Sequence, residues 1–214
     1  MNRFAPWPCH GLYALTDGPR EDLFEVVSQA LAGGAHLLQY RDPTVDAARR
    51  HAEATALRQL CHEHGVPLII DDDIALAKAV GADGVHLGDA ENDIGAARSE
   101  LGSQAVIGVA CRDSLQLARM AAHAGASYVS FGAFFPSPTK PMAPRASIDL
   151  LRQSAALGVP RVAIGGITPD NGALLVEAGA DFLAAVSAVF GAADVRAAAR
   201  SFASLFSPDR ESTR

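Results

Sequence analysis

Cysteine is scarce in this sequence, and so is any arrangement that would put it to use. Cys9, Cys61 and Cys111 are the three among 214 residues, odd in number, far apart and without a CxxC pair. That pattern argues against a disulfide framework and against a zinc site. Long apolar runs are also missing. The stretch 182–193 is interrupted by Ser187 and Gly191 and is too short to span a bilayer. The opening MNRFAPWPCHGLYALTD has no apolar segment of signal-peptide length. No basic run occurs and the net charge is −6, which argues against nucleic acid as a partner. These absences point to a soluble cytoplasmic protein with no membrane or nucleic-acid partner. Homo-oligomer formation is left open by composition. An anionic ligand would have to be held by local cations against an acidic background.

What is present is apolar residues, at 49% of the chain, and a repeat. The segments AGGAHLLQY (32–40), VGADGVHLG (80–88), AGASYVSFG (124–132) and AGADFLAAV (178–186) share one grammar. Each ends a helix, turns on Gly-Ala and enters a short apolar strand, the glycine serving as a left-handed helix stop. Between them lie GLYALTD (11–17), VPLIIDDD (66–73), QAVIGVA (104–110) and VPRVAIGGI (159–167), four further strand candidates. Helical periodicity fills the gaps, as in DLFEVVSQAL (22–31) and a last helix over about 194–206. Asp113 is placed to cap the helix that follows it, and Thr168–Pro169 to open another. Eight nearly all-apolar strands alternating with helices imply a parallel sheet covered on its outer face. The expected fold is a single-domain α/β protein, a (β/α)₈ TIM barrel over 1–214, with its core at 11–206 and a short polar C-terminal tail.

Barrel sites are built at the C-terminal ends of the strands. Those ends carry Thr16 and Asp17, Gln39 and Arg41, Asp71–Asp72–Asp73, His86 with Asp89 and Glu91, and Ala110–Cys111–Arg112. The later ends carry the loop 136–140, Gly165–Gly166 and Ser187. In QYRDP, strand alternation would put Gln39, Arg41 and position 43 on one face. An amide and a guanidinium there suit an anionic, oxygen-rich group, yet position 43 is Pro43. IIDDD delivers adjacent carboxylates to the rim, a donor set suited to Mg²⁺, with Asp72 as the first candidate ligand and Glu91 as the second. Asp73 reads as a helix cap. Gly165–Gly166 and Ser187 follow strands seven and eight, where barrels commonly hold phosphate. The stiff loop SPTKP offers Ser137, Thr139 and the ammonium of Lys140 to the same kind of ligand. His86 and Cys111 read as structural.

The blocks QYRD, LIIDDD, ALAKAVGADGVHLG, GAFFPSPTKP and VAIGGITPDN together resemble the thiamine phosphate synthase/TenI family, from GLYALTD to VSAVF. The resemblance implies a (β/α)₈ barrel that joins a hydroxymethylpyrimidine diphosphate to a thiazole phosphate, with Mg²⁺, and releases pyrophosphate. It further implies that Gln39, Arg41 and Asp71 stand at the pyrimidine diphosphate and that Asp72 and Glu91 occupy the two metal-ligand positions. Ser137, Thr139, Gly166, Val186 and Ser187 would hold the thiazole phosphate, and Lys140 would meet the departing diphosphate beside Arg41. Three positions depart from the pattern: Pro43 stands where the family usually has Lys, Asp71 where it has Asn, and Ala110 where it has Ser. Two other readings of a weakened pyrimidine side follow. One is a TenI-like relative, although ACRDS (110–114) lacks the histidine of that branch; the other is a non-catalytic binder of a thiazole phosphate.

Overall fold

The computed structural model describes residues 9–88, 94–136 and 144–207. Eight parallel strands close in chain order into a barrel. They are β1 (Gly11–Leu15), β2 (Ala35–Tyr40), β3 (Leu68–Asp71), β4 (Gly84–Leu87), β5 (Val106–Ala110), β6 (Tyr128–Phe131), β7 (Arg161–Ile164) and β8 (Phe182–Ala185). Pairing of Gly11 with Phe182 and of Ala14 with Ala185 joins the last strand to the first. The α/β barrel expected from the four-fold grammar is therefore what forms. The outer layer contains α1 (Leu23–Ala32), α2 (Ala47–Glu63), α3 (Ile74–Val80), α4 (Ile94–Leu101) and α5 (Leu115–His123). It continues with α6 (Asp149–Gln153), α7 (Pro169–Glu177), the short α8 (Ser187–Phe190) and α9 (Val195–Ala203).

Local chemistry sets the helix starts. Asp46, Asp73 and Asp194 each accept a backbone N–H three residues on, from Arg49, Leu76 and Ala197. At α5 the cap is Ser114 and not the expected Asp113. The Ser114 hydroxyl accepts the Leu117 N–H at 3.2 Å. The turn in which Ser114 N–H bonds to Cys111 O consumes Asp113, so Ser114 is the residue with extended backbone directly before the helix. α7 opens as expected, with Pro169 in its first turn and the Thr168 N–H donating to Asn171 Oδ1 at 2.9 Å.

Alternation along the strands divides the core in two. Outward side chains such as Leu12, Ala14, Leu38, Leu68, Ile70 and Val85 meet the helices. Inward ones, among them Tyr13, Leu37, Ile69, Tyr128, Val162 and Phe182, fill the barrel. Two tyrosine rings fit inside because Gly108 faces them: a Cβ there would lie 2.0 Å from Tyr128 Cζ. The filled interior leaves only its upper rim open for chemistry.

Candidate active site

The floor of the rim is a chain of four polar side chains from four strands. Gln39 Nε2 donates to Tyr13 OH at 3.0 Å, Tyr13 OH meets Tyr128 OH at 2.8 Å, and Tyr128 OH meets His86 Nδ1 at 3.0 Å. The His86 ring also stacks on Tyr128, 5.6 Å between centroids. Burial holds the His86 imidazole neutral, its pKa down to about 4, and pushes both phenols above their ordinary range. With Gln39 donating at one end and a neutral imidazole accepting at the other, each hydroxyl accepts one bond and donates the next. His86 is thus the structural histidine the sequence indicated, directed into the barrel, with its Nδ1 as acceptor. A pH prediction follows. An unfolded histidine titrates near 6.5, so between about pH 6.5 and 4 the unfolded chain binds the extra proton and stability falls as pH falls. His86 keeps some exposure at the rim, so its share is about 1–3 kcal/mol. Urea unfolding across that window should show the slope in the unmodified chain and a flatter one in His86→Gln. An equal slope in both would assign the acid lability to other groups.

The wall over β2 and β3 is a cleft of about 660 Å³ lined by Arg41, Pro43, Arg50, Asp71, Asp72 and Asp73, among others. The alternation expected through QYRDP stops early, because β2 ends at Tyr40. Gln39, only 2% exposed, points into the barrel, while Arg41 and Pro43 turn toward the cleft. Arg41 is positioned through its backbone: its N–H donates to Thr16 Oγ1 at 2.8 Å, and the Thr16 hydroxyl returns a bond to Arg41 O at 3.0 Å. Its guanidinium rests on Asp71, Nε to Oδ2 3.3 Å, with both side chains partly exposed. Such a pair stabilises by about 0–1 kcal/mol, so an anion entering the cleft can displace the carboxylate at little cost. Beneath the loop, Arg49 binds Asp42, Glu53 and Thr44, and Tyr40 OH donates to Glu53 at 2.7 Å. This network ties the β2 loop to α2.

The three consecutive carboxylates have separate fates. Asp73 Oδ1 caps α3, and its Oδ2 lies 2.9 Å from Arg50. Asp71 faces Arg41. Among the described residues Asp72 faces no cation; its Oδ1 accepts the Gly88 N–H at 2.6 Å. Asp72 is held at φ 53°, a left-handed conformation that costs a non-glycine residue about 1–2 kcal/mol. That conformation exposes its carboxylate on the rim. An exposed hard-oxygen donor without a cationic partner, beside a second carboxylate, fits a divalent ion.

On the far side, Phe134 and Phe135 N–H donate to Ile164 O and Gly165 O at 3.2 and 2.9 Å, laying the segment after β6 along the end of β7. Gly166, at φ 63°, receives that segment so closely that a Cβ would lie 2.2 Å from Pro136 O. Val186 opens α8, and the exposed Ser187 is its first residue. Ala110 ends β5 beside Ser130 of β6. Cys111 is buried, its thiol pushed up to about 12, which makes it inert at neutral pH. The remaining sequence candidates, Asp89, Glu91, Ser137, Thr139 and Lys140, lie outside the described residues. Tyr13 and Tyr128 escaped the sequence reading, because a tyrosine in an apolar strand reads as core; the fold shows their hydroxyls fixing Gln39.

Residues 12–189 match the family described as thiamine monophosphate synthase. The chain belongs to that family. A thiamine-phosphate synthase of Xanthomonas campestris is 54% identical over 194 residues, 90% of this chain and 93% of the relative. One from Chromobacterium violaceum is 52% identical over 198 residues, 92% of this chain and 96% of the relative. The solved thiamine phosphate pyrophosphorylase of Pyrococcus furiosus superposes with a TM-score of 0.83 at 33% identity, covering 94% of this chain and 96% of that one. A 3-hexulose-6-phosphate synthase structure, TM-score 0.70 at 19% identity over 92% of this chain and 100% of that one, shares the fold alone. Among the described residues, no helix of this family member is long and apolar enough to cross a membrane.

Proposed function

We propose that this chain makes thiamine phosphate from hydroxymethylpyrimidine diphosphate and a thiazole phosphate, releasing pyrophosphate, in the cytoplasm and with Mg²⁺. Family membership carries the activity, and the presence in one cleft of Arg41 and of Asp72, which faces no cation among the described residues, carries the assignment of the diphosphate end. Arg41 holds diphosphate oxygens, leaving Asp71 as it does so. Gln39, its amide fixed by Tyr13, contributes a remaining N–H at the floor. Asp72 and Glu91 are the residues that would hold Mg²⁺. When bound, the ion supplies positive charge to the leaving diphosphate. Lys140 adds an ammonium to the same leaving group, and the pyrimidine methylene carbon, losing it, is taken by the thiazole nitrogen. Ser137 and Thr139, with the backbone at Gly166, Val186 and Ser187, hold the thiazole phosphate so that this nitrogen is in line. Positioning and stabilisation of the departing charge supply the rate; the chain needs no general base for this substitution.

The loop ACRDS contains no histidine, which disfavours the tautomerase chemistry of the TenI branch. The assignment is tested by incubating the purified chain with both substrates while Mg²⁺ is raised from zero. Thiamine phosphate should form with saturable metal dependence and one pyrophosphate per product. Tight binding of the thiazole phosphate without any product would instead establish the non-catalytic binder.

A further inference from the structure

Arg49 and Arg50 are neighbours in the first turns of α2, where a cation opposes the positive end of the helix dipole. Arg49 is compensated by the carboxylates of Asp42, Asp46 and Glu53 and by the Thr44 hydroxyl. Arg50 is not. Its side chain makes one hydrogen bond among the described residues, from one terminal nitrogen to Asp73 Oδ2 at 2.9 Å. Its Nε is buried and has no hydrogen-bond partner among the described residues. A guanidinium offers five N–H donors, so most of the capacity of Arg50 is unused by the protein. A guanidinium with a purely structural role seldom leaves a buried N–H such as Nε unsatisfied. Arg50 lines the same cleft as Arg41, Pro43 and Asp72, and these two arginines are the only cations among the described residues that do so. Asp73 grips one edge of the guanidinium while capping α3 with its other oxygen, which fixes the group against the cleft wall.

We infer that Arg50 is the second cation for the diphosphate, in a cleft where position 43, a proline, supplies none. The inference rests on the pyrimidine-diphosphate cleft proposed above and adds a residue to it. Reaching in from the helix layer, Arg50 supplies a planar donor edge opposite Arg41, so a diphosphate is held from two directions by guanidinium groups.

Titration of the full chain with inorganic pyrophosphate in the presence of Mg²⁺ tests this without requiring turnover. Arg50→Gln should weaken pyrophosphate binding about tenfold, the order of one charge-assisted contact. It should raise KM for the pyrimidine diphosphate similarly and leave KM for the thiazole phosphate in place. Adding Pro43→Lys to Arg50→Gln should recover most of the affinity, which repair of a merely structural contact would not do. Asp73→Asn keeps the cap of α3 and removes the ion pair, and it should weaken pyrophosphate binding by less than Arg50→Gln does, because the guanidinium itself remains. The inference is overturned if Arg50→Gln binds pyrophosphate like the unmodified chain, if Pro43→Lys restores nothing, or if Asp73→Asn reproduces the whole loss. It is also overturned if the unmodified chain fails to bind pyrophosphate. Arg50-dependent pyrophosphate binding by a chain that forms no thiamine phosphate would sink the catalytic assignment and leave this one standing.

Discussion

Asp72→Asn should lower kcat/KM by about 10²–10³-fold, equivalent to roughly 3–4 kcal/mol, while the fold keeps its stability within about 0.5 kcal/mol. The separation of the two effects comes from the geometry. Asp72 sits at φ 53°, and asparagine is among the few residues that tolerate that conformation. An amide oxygen can also accept the Gly88 N–H that Asp72 Oδ1 takes at 2.6 Å. What the substitution removes is charge at the one carboxylate of the three that no described cation neutralises. The Mg²⁺ concentration for half-maximal activity should rise with the loss of rate. Asp72→Ala would be worse on both counts, losing about 1–2 kcal/mol of stability as well, because alanine neither bonds Gly88 nor favours a positive φ. Near-normal metal dependence in Asp72→Asn would mean that the ion is held elsewhere on the rim.

The second large effect is at Gly166, where alanine should destabilise the chain by about 3–5 kcal/mol and abolish saturation by the thiazole phosphate at ordinary concentrations. Two costs add there. The residue is at φ 63°, and its Cβ would lie 2.2 Å from Pro136 O and 2.7 Å from Phe135 O. Those are backbone atoms of a segment fastened to β7 by the Phe134 and Phe135 N–H bonds, so they cannot swing away as a side chain would. Gly158 gives the control: its φ is 72°, but no atom lies within 4 Å of the added Cβ. Gly158→Ala should therefore cost only the conformational part, about 1 kcal/mol, and leave catalysis alone. Urea midpoints and thiazole-phosphate KM for the pair decide the matter. Equal behaviour of the two variants would show that close approach at Gly166 does not shape the site.

Much of this was legible in the chain itself. Gly-Ala followed by an apolar run marks the passage from helix to strand, because a left-handed stop needs glycine and a strand buried on both faces needs no polar alternation. Eight such strands, closed in sequence order, were available from local signals alone. The clustering of acids, glycines and hydroxyls at the strand ends was equally readable, since those residues break the apolar pattern where the backbone leaves the sheet. Local reading erred where geometry turns over within one or two residues. It assigned the α5 cap to Asp113, although the turn at 111–114 makes Ser114 the cap. It also carried strand alternation past Tyr40, where β2 has already ended.

What the sequence by itself determined was therefore the set of strands, their order, the family and the rim that carries the chemistry. Those follow from short-range backbone preferences and from the apolar period. Only the tertiary structure decided which polar groups meet. Closing the barrel brought Gln39, Tyr13, Tyr128 and His86 from β2, β1, β6 and β4 into one hydrogen-bonded chain. Seating α2 against α3 carried Arg50 to Asp73 and into the cleft with Arg41, although nothing near it in sequence distinguishes it from the arginine beside it. Pairing of this kind depends on distances across the sheet and between layers, and a charge has no partner until closure fixes those distances.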